Sequence, residues 1–311
     1  MRKTILLIGG AGFIGANIIR RLDKDKFRIL VVEPEGAYTG RLDGMAVELL
    51  YGSLNNIDFI KSCIEQYDVK IVVHLVSMLI PGSTYEEYKR EYKDVIFPSI
   101  ELMEICALNG VRFVYFSSGG TVYGNKNDVY PFVETDMMKP ISYYGWSKQM
   151  MENSIHFMHR TQGLDYLILR PSNPYGHGQN LYGKQGLVAV AIGKLLKNEP
   201  VEVWGDGSAV RDYIYIDDLA GIFAKLMERD VHNTTLNIGS GRGYSVNDVL
   251  AFLKIVSQQD FKIVYQNPRP VDVSNMVLDV RELKKLVDVE LTPFMDGIMR
   301  FYEESKSETG K

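Results

Sequence analysis

The chain is short of most features that would assign it at a glance. It has two cysteines, Cys63 and Cys106, with no metal-ligand spacing around them. That excludes a thiolate zinc site and a disulfide framework, and it suits a reducing compartment. Positive charge is in deficit: 35 Lys and Arg against 39 Asp and Glu give a formal net charge of -4. Neither a nucleic-acid footprint nor a polybasic membrane patch fits that balance, although local arginines can still hold a small anion. No uninterrupted apolar run reaches the ~20 residues that a bilayer-spanning helix needs. The start, "MRKTILLIGGAGFIG", resembles a signal peptide, but glycines interrupt it and no small-residue cleavage site follows. Repeats and low-complexity stretches are missing as well. The expected setting is the cytoplasm, with no nucleic acid, membrane or metal as partner.

What remains is a 311-residue chain that is 46% hydrophobic and 24% charged, enough for a large core or two joined domains. Short apolar runs read as buried parallel strands: "TILLIG" (4–9), "RILVVE" (28–33), "KIVVHLV" (70–76), "RFVYFSS" (112–118) and "DYLILRP" (165–171). Helical patterns separate them, near 13–22, 57–66, 85–108 and 145–160, with Pro98 expected to kink or divide the third. This alternation predicts an α/β fold, a Rossmann-like doubly wound parallel sheet. After Pro171 the pattern loosens. A smaller, partly interleaved C-terminal α/β domain is expected there, giving approximate domains of 1–171 and 172–311. Ser245 with Asp248 reads as an acidic capping box that opens a later helix.

Gly9, Gly12 and Gly15 follow the first strand directly and open the first helix, together with Phe13 and Ile14. Glycines there allow a tight turn, a close backbone approach to a pyrophosphate, and close helix–strand packing. The helix N-terminus adds free N–H groups. Glu33 ends the second strand, where a carboxylate can accept from the adenosine ribose hydroxyls and repel a 2′-phosphate. That favours NAD over NADP, with Glu35 as a competitor for the role.

Tyr144 and Lys148, in "YYGWSK", stand four apart on one helical face. A nearby ammonium and an oxidised nicotinamide would both lower the phenol pKa from its usual ~10. "FSSGGTVYG" (116–124) turns out of a buried strand and offers the Ser117, Ser118 and Thr121 hydroxyls. His74, His156 and His159 read as packed structural residues. The stripe around Met150, Met151 and Phe157 reads as core or dimer surface.

The glycine triplet, the "SSGGTVYG" strand end and the Tyr-x-x-x-Lys pair together resemble the extended short-chain dehydrogenase/reductase family, especially its nucleotide-sugar epimerases of the UDP-glucose 4-epimerase type. The likeness covers nearly the whole chain. It implies NAD as cofactor, a UDP-sugar as substrate, and epimerisation at carbon four through a transient 4-keto sugar. Tyr144 would be the base. Lys148 would tune it and hold the nicotinamide ribose, and Ser117 would line the cofactor. The resemblance also implies that Asn173 of "LRPSNPYG", Val203 and Trp204 of "VEVWG", Arg211 of "VRDYIYIDDLA" and Arg269 of "NPRPVDV" contact the nucleotide sugar, the two arginines at its diphosphate. It implies a homodimer through the helices near 85–108 and 145–160.

The chain departs from that pattern at Gly119, where the epimerases usually carry the catalytic hydroxyl. Ser118, next to the strand end, or Thr121 is expected to replace it. The sugar 4,6-dehydratases have an Asp-Glu pair just before "VYG", and Gly120 and Thr121 stand there instead. Met276 falls where residue size bears on an N-acetyl group. The rival readings are a nucleotide-sugar reductase and a catalytically silent binder of NAD and nucleotide sugar.

Overall fold

A strand that is apolar along its length must be covered on both faces, and the N-terminal runs meet that demand. In the structure, a computed structural model that describes residues 2–125, 131–268 and 273–310, they are β1 (Lys3–Ile8), β2 (Phe27–Glu33), β4 (Val69–His74), β5 (Arg112–Phe116) and β6 (Tyr166–Pro171). A short β3 (Glu48–Tyr51), not predicted, extends one edge. Between them run α1 (Phe13–Arg21), α2 (Ile57–Gln66), α3 (Tyr85–Glu91), α4 (Phe97–Leu108) and α5 (Tyr143–Gln162). The second part of the chain adds β7 (Asn173–Tyr175), α6 (Leu187–Leu196), β8 (Val201–Trp204), β9 (Val210–Tyr215), α7 (Ile216–Glu228) and β10 (Thr234–Ile238). Then come β11 (Gly243–Ser245), α8 (Val246–Ser257), β12 (Ile263–Gln266), β13 (Asn275–Met276), α9 (Arg281–Leu286) and α10 (Phe294–Glu308).

Seven parallel strands form one sheet in the order β10-β6-β5-β4-β1-β2-β3. The strand order reverses between β1 and β4, and open α/β sheets bind ligands at the carboxyl ends of the strands beside such a reversal. Alternate residues feed opposite faces. Leu7, Val31 and Val73 pack in the core that includes Ile19 of α1 and Phe223 of α7, whereas Leu6, Leu30 and Val72 pack in the core that includes Ile64 of α2, Cys106 of α4 and Ile155 of α5. Strand β10 and helix α7 thus return to the large sheet although they come after residue 171. Helices α6, α8 and α10 enclose a third core around β7, β8 and β9, while Met276 of β13 and Leu283 of α9 join the core that α1 and α7 cover.

The segment around Pro98 is divided, as its ring requires. Helix α3 passes into a π-helical turn, Tyr92–Ile96, and α4 begins with Pro98 in its first turn. A proline in a regular helix would clash with the carbonyl four residues back, and the wider turn absorbs this. Ser245 and Asp248 form the expected reciprocal cap of α8. Among the described residues no helix is long and apolar enough to cross a membrane.

Candidate active site

The glycine loop joins β1 to α1 at the strand-order reversal. Gly9 has φ +80°, and a Cβ there would lie 3.0 Å from Val76, just past β4. A Cβ on Gly15 would lie 2.4 Å from the Gly10 carbonyl, so only glycine lets the helix sit this close. No side chain caps the first turn of α1: Gly12 is its N-cap, with Phe13 and Ile14 following. The orphan N–H groups there suit a pyrophosphate. Glu33 Oε1 accepts from Ala11 N at 2.6 Å, which ties the end of β2 to the loop, and burial raises the Glu33 pKa. Glu35 is exposed. These residues fit NAD.

Helix α5 starts against the turn that follows β5. Ser142 caps it, accepting from Gly145 N at 3.1 Å. A Cβ on Gly145 would lie 2.7 Å from the Thr121 carbonyl, and this close approach sets Tyr144 beside Ser118. The Ser118 side chain stands close enough to Tyr144 to favour the ionised phenol, whereas Thr121 Oγ1 is buried with no partner among the described residues. Lys148 Nζ donates to the Phe116 carbonyl at 2.9 Å and lies 5.6 Å from the centre of the Tyr144 ring. Burial pushes Lys148 down to about 8, opposed by the carboxylates of Glu91 and then Glu152. Burial also pushes Tyr144 up to about 12; the nearby Ser118 hydroxyl lowers it and Glu91 adds to the rise. The lowered phenol pKa expected from the sequence is therefore not produced by the protein groups alone.

The adjacent glycines have different physical grounds. A Cβ at Gly119 would lie 2.6 Å from Leu278 Cδ1 and 2.9 Å from the Arg170 carbonyl, so the position cannot hold a serine without displacing the packing. A Cβ at Gly120 would meet only ordinary contacts, at 3.6 Å from Met276 Cε, 3.7 Å from Asn173 Oδ1 and 3.8 Å from Ser118 Oγ. Asn173 Nδ2 donates to the Asp212 carbonyl at 2.8 Å, which leaves its Oδ1 as the acceptor facing that space.

The other expected residues are more scattered. Ser117 donates its hydroxyl to Glu152 and is buried with it, so that hydroxyl serves the scaffold. Val203 turns into the third core, while Trp204 is 44% exposed. Beyond Trp204, residues 205 and 206 and the 265–268 segment line a cavity of about 690 Å³. Arg211 is half-buried in β9, in register with Met276 of β13. Arg269 lies outside the described residues. His74 is buried and bonded to Ser99 Oγ at 2.8 Å, and His156 and His159 pack edge-on to Tyr166. Met151 is core, Met150 half-buried and Phe157 exposed.

Sequence reasoning missed the charged groups behind the pair. Glu152 is fully buried and bonds Arg170, with Nη2 to Oε2 at 2.6 Å. Glu91 is 1% exposed. Its signal was legible: it stands three residues after Tyr88 and four before Val95, both buried, so it falls on the apolar stripe.

Comparison with known proteins agrees with this arrangement. Residues 5–239 match the model of the NAD dependent epimerase/dehydratase family. A putative UDP-glucose 4-epimerase of Methanocaldococcus jannaschii is 30% identical over 95% of this chain and 96% of its own. The dTDP-4-dehydro-6-deoxyglucose reductase of Escherichia coli is 27% identical over 90% of each chain. The crystal structure of UDP-glucose 4-epimerase from Thermotoga maritima, with UDP-glucose, superposes with a TM-score of 0.91 at 32% identity, covering 98% of this chain and 99% of that one. With its glycine loop, strand-end hydroxyl and Tyr144–Lys148 pair on this sheet, the chain belongs to the NAD-dependent epimerase/dehydratase family.

Proposed function

We propose that the protein is a nucleotide-sugar 4-epimerase acting on UDP-glucose and UDP-galactose or their N-acetylamino forms. One observation carries the reading: the Ser118 hydroxyl stands by the Tyr144 phenol, with Lys148 behind it and Asn173 Oδ1 across from Gly120. A sugar hydroxyl brought to these groups would meet Tyr144 as base and Ser118 as hydrogen-bond partner, while Asn173 Oδ1 would accept from a neighbouring hydroxyl. NAD would supply reversible hydride transfer at carbon four. The glycine loop, the first turn of α1 and Glu33 would hold it, and the positive charge of its oxidised ring would bring the Tyr144 pKa down. Lys148 adds a second positive charge and orients the strand end through Phe116. Arg211 and Arg269 would hold the diphosphate, and Trp204 would face the base.

In this reading residues 1–171, with α7 and β10, form the cofactor half, and the rest of 172–311 forms the sugar-nucleotide half. A homodimer is part of it. Tyr92, Phe97 and Leu108 between α3 and the end of α4, with Trp146 and Phe157 of α5, present exposed apolar surface for a second copy. The similarity to the Escherichia coli reductase supports a second reading, net reduction of a keto sugar.

Proton NMR of the protein with NAD and each of the four UDP-sugars tests both. Interconversion at carbon four without net NADH supports the epimerase, and Tyr144→Phe should lower it by about 10²-fold or more. Net consumption of reduced cofactor with a keto sugar favours the reductase. Binding without any turnover favours the silent binder.

A further inference from the structure

Two buried carboxylates flank the turn of α5 that carries Tyr144 and Lys148. Glu152 is paired with Arg170. Glu91, the last residue of α3, is held by neutral donors instead. Its Oε1 accepts from Ser77 Oγ at 3.1 Å and Ser147 Oγ at 3.3 Å, and its Oε2 accepts from Met78 N at 2.7 Å. Among the described residues no Lys, Arg or His lies within ion-pair distance of it. A buried carboxylate without a counter-ion is costly, and three donors only partly offset the lost hydration. Two of its partners bear on the site. Ser147 immediately precedes Lys148, and Ser77 and Met78 follow the end of β4 at the ligand-binding edge of the sheet. The π turn begins at the next residue, Tyr92, and such turns recur at functional sites.

We propose that Glu91 is a positioning residue whose hydrogen bonds fix the Ser77–Met78 segment against Ser147 of α5 and set a carboxylate without an ion-pair partner behind the Tyr144–Lys148 pair. The proposal rests on the reading of Tyr144 and Lys148 as the acid–base pair. The groups that face Lys148 are Glu91 from α3, Glu152 and Tyr144 from α5, His74 from β4 and Tyr115 from β5. Burial pushes His74 down to about 3 and raises Tyr115 well above its usual value, so both are neutral at pH 7. The charge of Glu152 is matched by Arg170. Glu91 is left as the unmatched negative charge, and it opposes the loss of the Lys148 proton. The same charge raises the Tyr144 pKa, so Glu91 holds protons on both members of the pair.

Glu91→Gln isolates the charge. The amide keeps an acceptor for Met78 N–H, and the two serine hydroxyls can turn to accept from its NH₂. In the NAD-loaded protein, Tyr144 ionisation is read as the ultraviolet difference between each protein and its Tyr144→Phe counterpart. The pH profile of kcat/KM for UDP-glucose is the second readout. The Tyr144 midpoint and both limbs of the profile should move down by about one pH unit. Glu91→Asp keeps the charge and should keep the wild-type midpoints even where its shorter reach slows turnover. Unmoved midpoints in Glu91→Gln, or equal shifts in the Gln and Asp variants, would assign Glu91 a purely structural role and overturn the proposal. Failure of the epimerase reading is separate: the wild type would then interconvert no UDP-sugar, while the ultraviolet titration would still decide on Glu91.

Discussion

On its sheet side, helix α5 sets Glu152 against Arg170; on its α3 side, it sets Ser147 against Glu91. The first contact is a closed network. Arg170 bonds both oxygens of Glu152, the Tyr123 hydroxyl at 2.7 Å and the Glu134 carbonyl at 2.9 Å, and Tyr123 donates to Asn237 Oδ1 of β10 at 2.6 Å. Ser117 joins through Glu152. Charge is matched, donors have acceptors, and four parts of the fold are fixed around the end of β5. The second contact has hydrogen bonds but no counter-ion. The matched buried pair mainly holds position, and Glu152 acts on the Lys148 proton less than Glu91 does. An unmatched buried charge also acts on the protons of its neighbours.

The largest expected effect breaks the closed network. Glu152→Ala leaves Arg170 buried and unpaired and should cost about 3–5 kcal/mol in urea unfolding; a loss below about 1 kcal/mol would remove the distinction between the flanks. Next is the glycine that packs on the same side. Gly119→Ser forces a side chain against Leu278 and the Arg170 carbonyl, and should destabilise by about 2–3 kcal/mol. Gly120→Ala, whose Cβ meets only ordinary contacts, should stay within about 1 kcal/mol of wild type by the same measurement.

Lys148→Met sharpens the comparison from the other side. Burial holds Lys148 at about 8, below the 10.5 of a free lysine, so the folded state binds this proton less tightly than the unfolded one. The cost is full below about pH 8 and fades as pH rises toward the unfolded value. The variant should therefore be more stable than wild type at pH 7 by about 2 kcal/mol, with the gain shrinking between pH 8 and 10.5. Equal gains at pH 7 and pH 10 would show that packing, not charge, is responsible. A small effect is also expected from Ser77→Ala, which removes one neutral donor from Glu91 and should cost about 1 kcal/mol in thermal unfolding.

Legibility followed the number of residues that share one physical reason. Helix α2 was read at its observed bounds, because a whole stripe of apolar residues repeats the signal. The α8 cap was legible because a capping box is local. Arg170 was hidden inside "YLILRP", where it looked like one more strand residue, and its partner is 18 positions away. Glu91 stands on the apolar stripe of "YEEYKREYKD" between Tyr88 and Val95, but its partners Ser77, Met78 and Ser147 meet it only in the fold. The return of β10 to the large sheet depends on pairing with β6, and Thr234 and Leu167 meet only in the fold.

By itself the sequence determined the parallel sheet, the glycine loop and the Tyr144–Lys148 face, because continuous apolar runs and four-residue spacing act through neighbours along the chain. The tertiary structure decided which hydroxyl stands by Tyr144, why Gly119 must be glycine, and which of the carboxylates around Lys148 lacks a counter-ion. Those outcomes depend on contacts between residues far apart in sequence. Steric exclusion and charge matching are settled only when distant segments close on one another.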